Sequence, residues 1–319
     1  MTWVRWGVIG ASRIAQSSFI PGLRSTNSGE VFAVASRSLD KAKQFASNNQ
    51  IPTAYGSYQE LIEDPNLDAI YVALPPILHA QTALDVVRSG KAVLSEKPFA
   101  TSGLAAKEFV EKSPVDALAW EAFVFAFHPQ TSIPRDLINE LGPVKSIYSH
   151  FVYTPSNPND FRSVGELGGG ALLDVGSYCL RFAQLLMNLT PTLISANSRF
   201  NDLGANDEGS AVFQYPDNVE FKMHWSNKKA REQTALVEYR NGSALFNHPF
   251  SPNADSTITI NAGGSSRVIK PDTRTTWYFA LTHINQSIAG LIPPSHQIKD
   301  FSIEQATLLE QIQALSLDS

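Results

Sequence analysis

A glutamate and a lysine stand side by side at Glu96 and Lys97, after the apolar run "KAVL" and before Pro98. A carboxylate and an ammonium can hold or move a proton, and their position suits that use. A strand over 91–96 leaves them at its carboxyl end, the edge of an open parallel sheet where ligands sit. Proline fixes its own φ and restricts the residue before it to extended conformations, so both side chains leave in defined directions. A surface pair beside a turn would contribute little; the strand end favours the functional reading.

A second constellation lies in "GGGALLDVGSYCLRFAQLLM" at 168–187. On a helix starting near Ala171, Asp174 and Tyr178 are i and i+4 and Arg181 is i+7, which puts all three on one face. Leu172, Leu173, Val175 and Leu180 cover other directions. Gly168 to Gly170 let another group come close, and Asp174 in the first turn suits the helix dipole. Cys179 projects elsewhere and reads as buried packing. A tyrosine on a helix is more often core, but its alignment with an aspartate makes catalysis a competing assignment.

At the front of the chain, Gly10-Ala11-Ser12-Arg13-Ile14-Ala15 matches the dinucleotide fingerprint G-x-G-x-x-G/A, with Ser12 in place of the second glycine. A diphosphate must approach the backbone at a helix N-terminus, where free N–H groups attract anions. Serine leaves most of that room, so Gly10, Ser12, Arg13 and Ile14 are expected at the cofactor. Where the second strand ends, Ser36, Arg37 and Ser38 replace the carboxylate that normally holds the adenosine ribose of NAD. A guanidinium and two hydroxyls suit a 2′-phosphate, which favours NADP and leaves NAD possible. Leu74, Pro75 and His79, around the end of the strand over 68–74, are also expected at the cofactor, along with Glu96 and Lys97, with helix capping or packing an equal reading for His79.

These groups need a scaffold, and the sequence supplies one in two textures. Up to about residue 125, near-continuous apolar strands at 4–10, 30–36, 68–74, 91–96 and 117–123 alternate with helices near 13–24, 39–49, 57–63, 78–89 and 103–112. That pattern implies a parallel, doubly wound sheet covered on both faces, an α/β Rossmann domain. Beyond about 143, long alternating runs such as "VKSIYSHFVYT", "VEFKMHWS" and "TALVEYRNGSALFN" imply an α+β domain with a large, open, mainly antiparallel sheet. Asn241-Gly242 reads as a hairpin turn at positive φ. Helices are expected at about 275–290 and 302–315, and the closing helices could pack back on the first domain. The domain boundaries are therefore 1–125 for the NADP-binding domain and 126–319 for the α+β domain expected to bind the substrate.

With 319 residues, 43% hydrophobic and 17% charged, the chain is globular. A net charge of −5 without a basic block argues against a nucleic-acid partner, and no Cys/His spacing suggests a metal. The one cysteine suits a reducing compartment, and without a leader or an 18-residue apolar run the protein is expected to be soluble and cytoplasmic.

The motifs "GVIGASRIA", "EKP", "WEAFVFAFHPQ" at 120–130, "NDFR" at 159–162 and "LGGGALLDVGSYCLR" at 167–181 resemble the Gfo/Idh/MocA oxidoreductases over nearly the whole chain. The tyrosine-bearing helix is most similar to the branch with dimeric dihydrodiol dehydrogenase and NADP-dependent D-xylose dehydrogenases. The resemblance implies that Lys97 is the catalytic or substrate-positioning cation, and it decides for Asp174 and Tyr178 as its catalytic companions. It also implies a sugar, polyol or related cyclic alcohol as substrate, and a homodimer or higher homo-oligomer through the second sheet. Tyr178 stands where many members have histidine, Pro76 where asparagine often follows the proline, and Ala126 where arginine is frequent. These departures bear on the substrate more than on the chemistry.

Substrate contacts are expected from Lys97, Asp174, Tyr178, Arg162, His128 and Phe123, although Trp120, Phe123, Phe125 and Phe127 are spaced as core residues of a strand. The expected reaction passes a hydride between a carbinol carbon and nicotinamide C4, with the hydroxyl proton going to Tyr178 or Lys97, in a site between the domains. Two alternatives remain at this point: a catalytically silent NADP-sensing regulator, and a glycosidase-type enzyme cycling a tightly held NAD.

Overall fold

A computed structural model describes residues 3–157 and 160–317. The chain divides into two compact units, one holding the residues up to Val124 together with Trp277–Ile303, the other Phe125–Thr276 and the chain from Glu304 on.

In the first unit, β1 (Val4–Ile9), β2 (Gly29–Ala35), β3 (Thr53–Tyr55), β4 (Ala69–Val72), β5 (Ala92–Ser95) and β6 (Ala119–Glu121) form a six-stranded sheet in the order β3-β2-β1-β4-β5-β6. Every pairing is parallel. Strands β4 and β5 are buried along their whole length, which is why they read as unbroken apolar runs. The helices between strands are α1 (Ile20–Thr26), α2 (Leu39–Asn49), α3 (Tyr58–Glu63), α4 (His79–Arg88) and α5 (Gly103–Lys112). Ser38, Ser57 and Ser102 cap α2, α3 and α5 by accepting a backbone N–H near each helix start.

The second unit opens with two short helices, α6 (Ile133–Asp136) and α7 (Ile138–Leu141), followed by β7 (Val144–Val152) and α8 (Ser177–Met187). Then come β8 (Thr192–Phe200), β9 (Asn206–Tyr215), β10 (Val219–Ser226), β11 (Glu232–Tyr239), β12 (Gly242–Asn247), β13 (Thr257–Ala262) and β14 (Ser265–Ile269). The eight strands lie in the order β14-β13-β12-β11-β7-β10-β9-β8. Their pairings are antiparallel except β7 with β10, which is parallel. One face buries Ile147, Phe151, Phe221, Met223 and Trp225 and carries α8; the other exposes Tyr148, Leu245 and Val268. Two further helices close the chain, α9 (Thr276–Ile288) and α10 (Ile298–Leu317).

The architecture is the expected Rossmann sheet plus a large, mainly antiparallel sheet, with several local corrections. Strand β3, only three residues long, escaped the periodicity because so short a strand shows no period. The hairpin turns at Arg240-Asn241, one residue early, and neither residue has positive φ. Gly242 is instead the first residue of β12, where a Cβ would lie 2.2 Å from the carbonyl oxygen of Asn261 on β13. The aromatics after Trp120 do not extend a strand: β6 stops at Glu121, and Val124–Phe127 form a 3₁₀ turn. Two expected continuous helices each contain a π turn, at Ala15–Phe19 and at Leu172–Gly176. Among the described residues no helix is long and apolar enough to cross a membrane, and no cluster of His, Cys, Asp and Glu could hold a metal ion.

Candidate active site

The nucleotide half is built on the carboxyl edge of the parallel sheet. Gly10 leaves β1 at φ 101°, and a Cβ there would sit 2.4 Å from the Ala73 carbonyl oxygen that follows β4. Only glycine fits so close an approach. Ser12 starts the following helix by accepting the Ala15 N–H on its hydroxyl at 3.2 Å, while Arg13 and Ile14 are exposed beside it. After β2, Ser36 is buried and Ser38 caps α2, so its hydroxyl already accepts from Lys41 N–H. Arg37 is exposed and lines a cavity of about 430 Å³ with Ser57, Tyr58, Gln59, Thr82 and Asp85. These features fit a dinucleotide: a turn without a side chain, a helix start, and an exposed arginine lining a cavity of mixed polarity.

The lysine loop lies on the same edge. Glu96 accepts the Tyr71 hydroxyl at 2.6 Å and the Lys97 N–H at 3.2 Å, one on each carboxylate oxygen. Tyr71 is itself held by stacking on Phe19 with ring centroids 4.2 Å apart. The Lys97-Pro98 peptide is cis, and Lys97 is half-buried. His79 is buried, with one ring nitrogen 2.7 Å from the Leu74 carbonyl oxygen and the other 2.8 Å from that of Pro98. Burial pushes its pKa down, the Lys97 ammonium adds to this, and the two carbonyls oppose it. Its imidazole ties together the loops that follow β4 and β5, the packing role the sequence left open to it beside a cofactor contact. Leu74 and Pro75, in the first of those loops, are half-buried.

The second unit holds the other constellation. Between Ala171 and Gln184 every residue is buried except Asp174 and Tyr178, so these two mark the one accessible face of the segment. Arg181, expected on that face, is 5% exposed. Tyr178 and Arg181 both lie in the regular helix α8, so Arg181 differs from the expectation in its burial, not in its spacing. Asp174 accepts hydrogen bonds from the Tyr153 hydroxyl and from Arg162 Nε at 3.0 Å. Arg162 also donates to Asp160 at 2.8 Å. The turn bearing Arg162 can lie there because Gly169 has no side chain: a Cβ would stand 2.3 Å from the Phe161 carbonyl oxygen.

Burial, and then the Asp174 charge, raise the pKa of the Tyr153 phenol far above its ordinary value. Burial alone would lower that of Arg162, but Asp174 with Tyr153 and Asp160 outweighs it and raises the pKa, keeping the guanidinium charged. The Tyr178 ring sits among Phe125, Phe151 and Phe250, each with its centroid 5.6 Å away.

Tyr153 was not anticipated; it stands just past β7, and nothing in its spacing pairs it with Asp174. His128 accepts the Gln130 N–H on Nδ1 and reaches the Asp272 carbonyl oxygen with Nε2, so its buried ring caps a turn. Phe123 is buried at 1% exposure beside Phe301. Cys179 is fully buried, and burial pushes its thiol up to about 12. Asn159, of the "NDFR" stretch, lies outside the described residues.

Comparison with known proteins bears on both units. Residues 4–114 match the family described as "Oxidoreductase family, NAD-binding Rossmann fold", and residues 135–245 match the "GFO/IDH/MocA C-terminal domain". The chain is 30% identical to a D-xylose 1-dehydrogenase (NADP(+)) of Haloferax volcanii over 83% of this chain and 82% of that one. It is 33% identical to the mouse trans-1,2-dihydrobenzene-1,2-diol dehydrogenase over 78% and 76%. Among solved structures it is similar to the 3-ketoreductase KijD10 of Actinomadura kijaniata in complex with NADP and TDP-benzene. That match has a TM-score of 0.90 and 28% identity, covering 98% of this chain and 97% of that one.

Proposed function

The chain belongs to the Gfo/Idh/MocA oxidoreductase family, and from that premise we propose that it is an NADP-dependent oxidoreductase interconverting a carbinol and a carbonyl carbon of a sugar, polyol or related cyclic alcohol. The observation that carries this reading is the position of Lys97. It lies directly past β5, on the carboxyl edge of the same parallel sheet whose β1 ends in the Gly10 cradle. Cofactor cradle and cation are thus presented by one rigid element.

Bound NADP(H) supplies the hydride acceptor or donor at nicotinamide C4. The chain's own residues supply binding and proton transfer. Gly10 and the amides after Ser12 would hold the diphosphate, and Arg37 with Ser36 and Ser38 would hold the 2′-phosphate. Lys97 or Tyr178 takes the hydroxyl proton in the oxidative direction. Their ordinary pKa values are about 10.4 and about 10, so the site must make one of them a better base. Asp174, held by Arg162, accepts a substrate hydroxyl and fixes its orientation. We also assign the open face of the eight-stranded sheet, with Tyr148, Leu245 and Val268 exposed, to a homodimer contact, which Leu245→Lys would disrupt in sedimentation. We place the enzyme in the cytoplasm, where the lone Cys179 stays reduced.

The test is a screen of sugars and polyols with NADP⁺ and NAD⁺, following reduced-nicotinamide absorbance. With a substrate in hand, Lys97→Met should lower kcat by about 10²- to 10⁴-fold while NADPH still binds. Undiminished turnover would remove Lys97 from the mechanism.

A further inference from the structure

Glu121 is a carboxylate at 2% exposure at the end of β6, and the function above makes no use of it. It belongs to the "WEAF" stretch, which reads as core. Burying a carboxylate is costly, so two of its hydrogen bonds are informative. One oxygen accepts the backbone N–H of Phe99 at 2.7 Å, and the other accepts the Ser302 hydroxyl at 2.6 Å. Both partners donate, as an ionised, acceptor-only group requires.

Phe99 is two residues past Lys97. The loop leaves the regular ladder after the Glu96 N–H bonds to the Val72 carbonyl oxygen. Pro98 then has no N–H to give, so the backbone after the lysine offers the Pro98 carbonyl and the Phe99 amide as handles. A buried side chain takes each one: His79 approaches the Pro98 oxygen at 2.8 Å, and Glu121 takes the Phe99 amide. Either tautomer of His79 bonds at least one of its two carbonyls, and the protonated ring bonds both. Because the anchored atoms belong to the backbone, they fix where the lysine stem begins, whatever the side chain does beyond it.

We propose that Glu121, seconded by His79, is a positioning residue for Lys97, holding the backbone behind the ammonium by a direct hydrogen bond to the Phe99 amide. This rests on Lys97 being the working cation. The fastening itself is a separate matter and can be read without turnover.

The test compares Glu121→Gln, which keeps an oxygen acceptor for Phe99 and loses the charge, with Glu121→Leu and His79→Leu, which lose the bonds. Lysines are ¹³C-methylated reductively, and the Lys97 resonance is identified by its absence in Lys97→Met. In NADPH-bound protein that resonance should keep its shift and titration in Glu121→Gln and move in both leucine variants. With substrate, the leucine variants should lose about 10- to 10²-fold in kcat, the scale of a misplaced group. In Glu121→Leu, NADPH affinity should hold and the basic limb of the pH–rate profile should shift, which a loss of stability alone would not produce; Glu121→Gln should be rescued. Amide exchange needs no leucine variant and serves if those do not fold: Phe99 N–H should exchange slowly in the wild-type holoenzyme, and less than about tenfold faster in Glu121→Gln, which keeps an acceptor.

Fast exchange at Phe99 in the wild type would overturn the proposal. So would an unmoved Lys97 resonance in the folded leucine variants, or a Glu121→Gln protein as impaired as Glu121→Leu. If Lys97→Met turned over normally while the resonance moved as expected, the fastening would stand and the catalytic reading alone would fall.

Discussion

Replacing Asp174 by asparagine removes the charge at the centre of the Tyr153–Asp174–Arg162–Asp160 network while keeping its shape. The side chains of Asp174 and Arg162 are 16% and 24% exposed, and Nε lies 3.0 Å from the carboxylate. At an effective dielectric of about 20, such a pair gains roughly 4 kcal/mol before desolvation. Arg162 keeps Asp160, and the asparagine carbonyl can still accept the Tyr153 hydroxyl, so a net loss of about 2 kcal/mol is expected. For a unit of this size that lowers the unfolding midpoint by about 4–8 °C, read by calorimetry. Combining Asp174→Asn with Tyr153→Phe should show a coupling of at least about 0.5 kcal/mol, since the two share one hydrogen bond. The Tyr153 phenol should also ionise at lower pH in Asp174→Asn, because the charge opposing its ionisation is gone. A midpoint within about 1 °C of wild type, with strictly additive single changes, would refute the network.

Arg37→Asp should weaken NADP⁺ binding by about 10²-fold or more through lost charge-assisted bonds and affect NAD⁺ much less; equal losses in fluorescence titrations would count against a 2′-phosphate contact. Gly10→Ala, with its Cβ directed at the Ala73 carbonyl, should cost at least about 1 kcal/mol of stability and abolish NADPH binding in calorimetric titration. His128 and His283 each accept a backbone N–H on a ring nitrogen, from Gln130 and Ser295, and burial depresses both pKa values. The unfolded chain therefore binds more protons just below pH 6.5, so their contribution is complete above about 6.5 and declines as pH falls. Each contributes at most about 1.4 kcal/mol per pH unit, which urea melts between pH 7 and 5 would detect; a flat profile would contradict the neutral rings.

The sequence by itself determined the parts whose signal is local. A run of apolar residues buried on both faces reads as a parallel strand, so β4 and β5 and the helices around them were legible. The Gly10 turn announced itself because a backbone passing so close to Ala73 admits no side chain. Spacing put Asp174 and Tyr178 on one face, which left catalysis competing with packing, and they are the two accessible residues of their segment. Tertiary structure alone decided which groups complete them. Tyr153 and Arg162 meet Asp174 from 21 and 12 residues away, and Glu121 meets Ser302 across 181. Contacts at such separations depend on loop closure and sheet register, which leave no periodicity in the chain. The parallel pairing of β7 with β10, and the inclusion of Trp277–Ile303 in the first unit, belong to the same class. A side chain's chemistry is written where it occurs; the partner that directs that chemistry is fixed only when the chain has folded back upon itself.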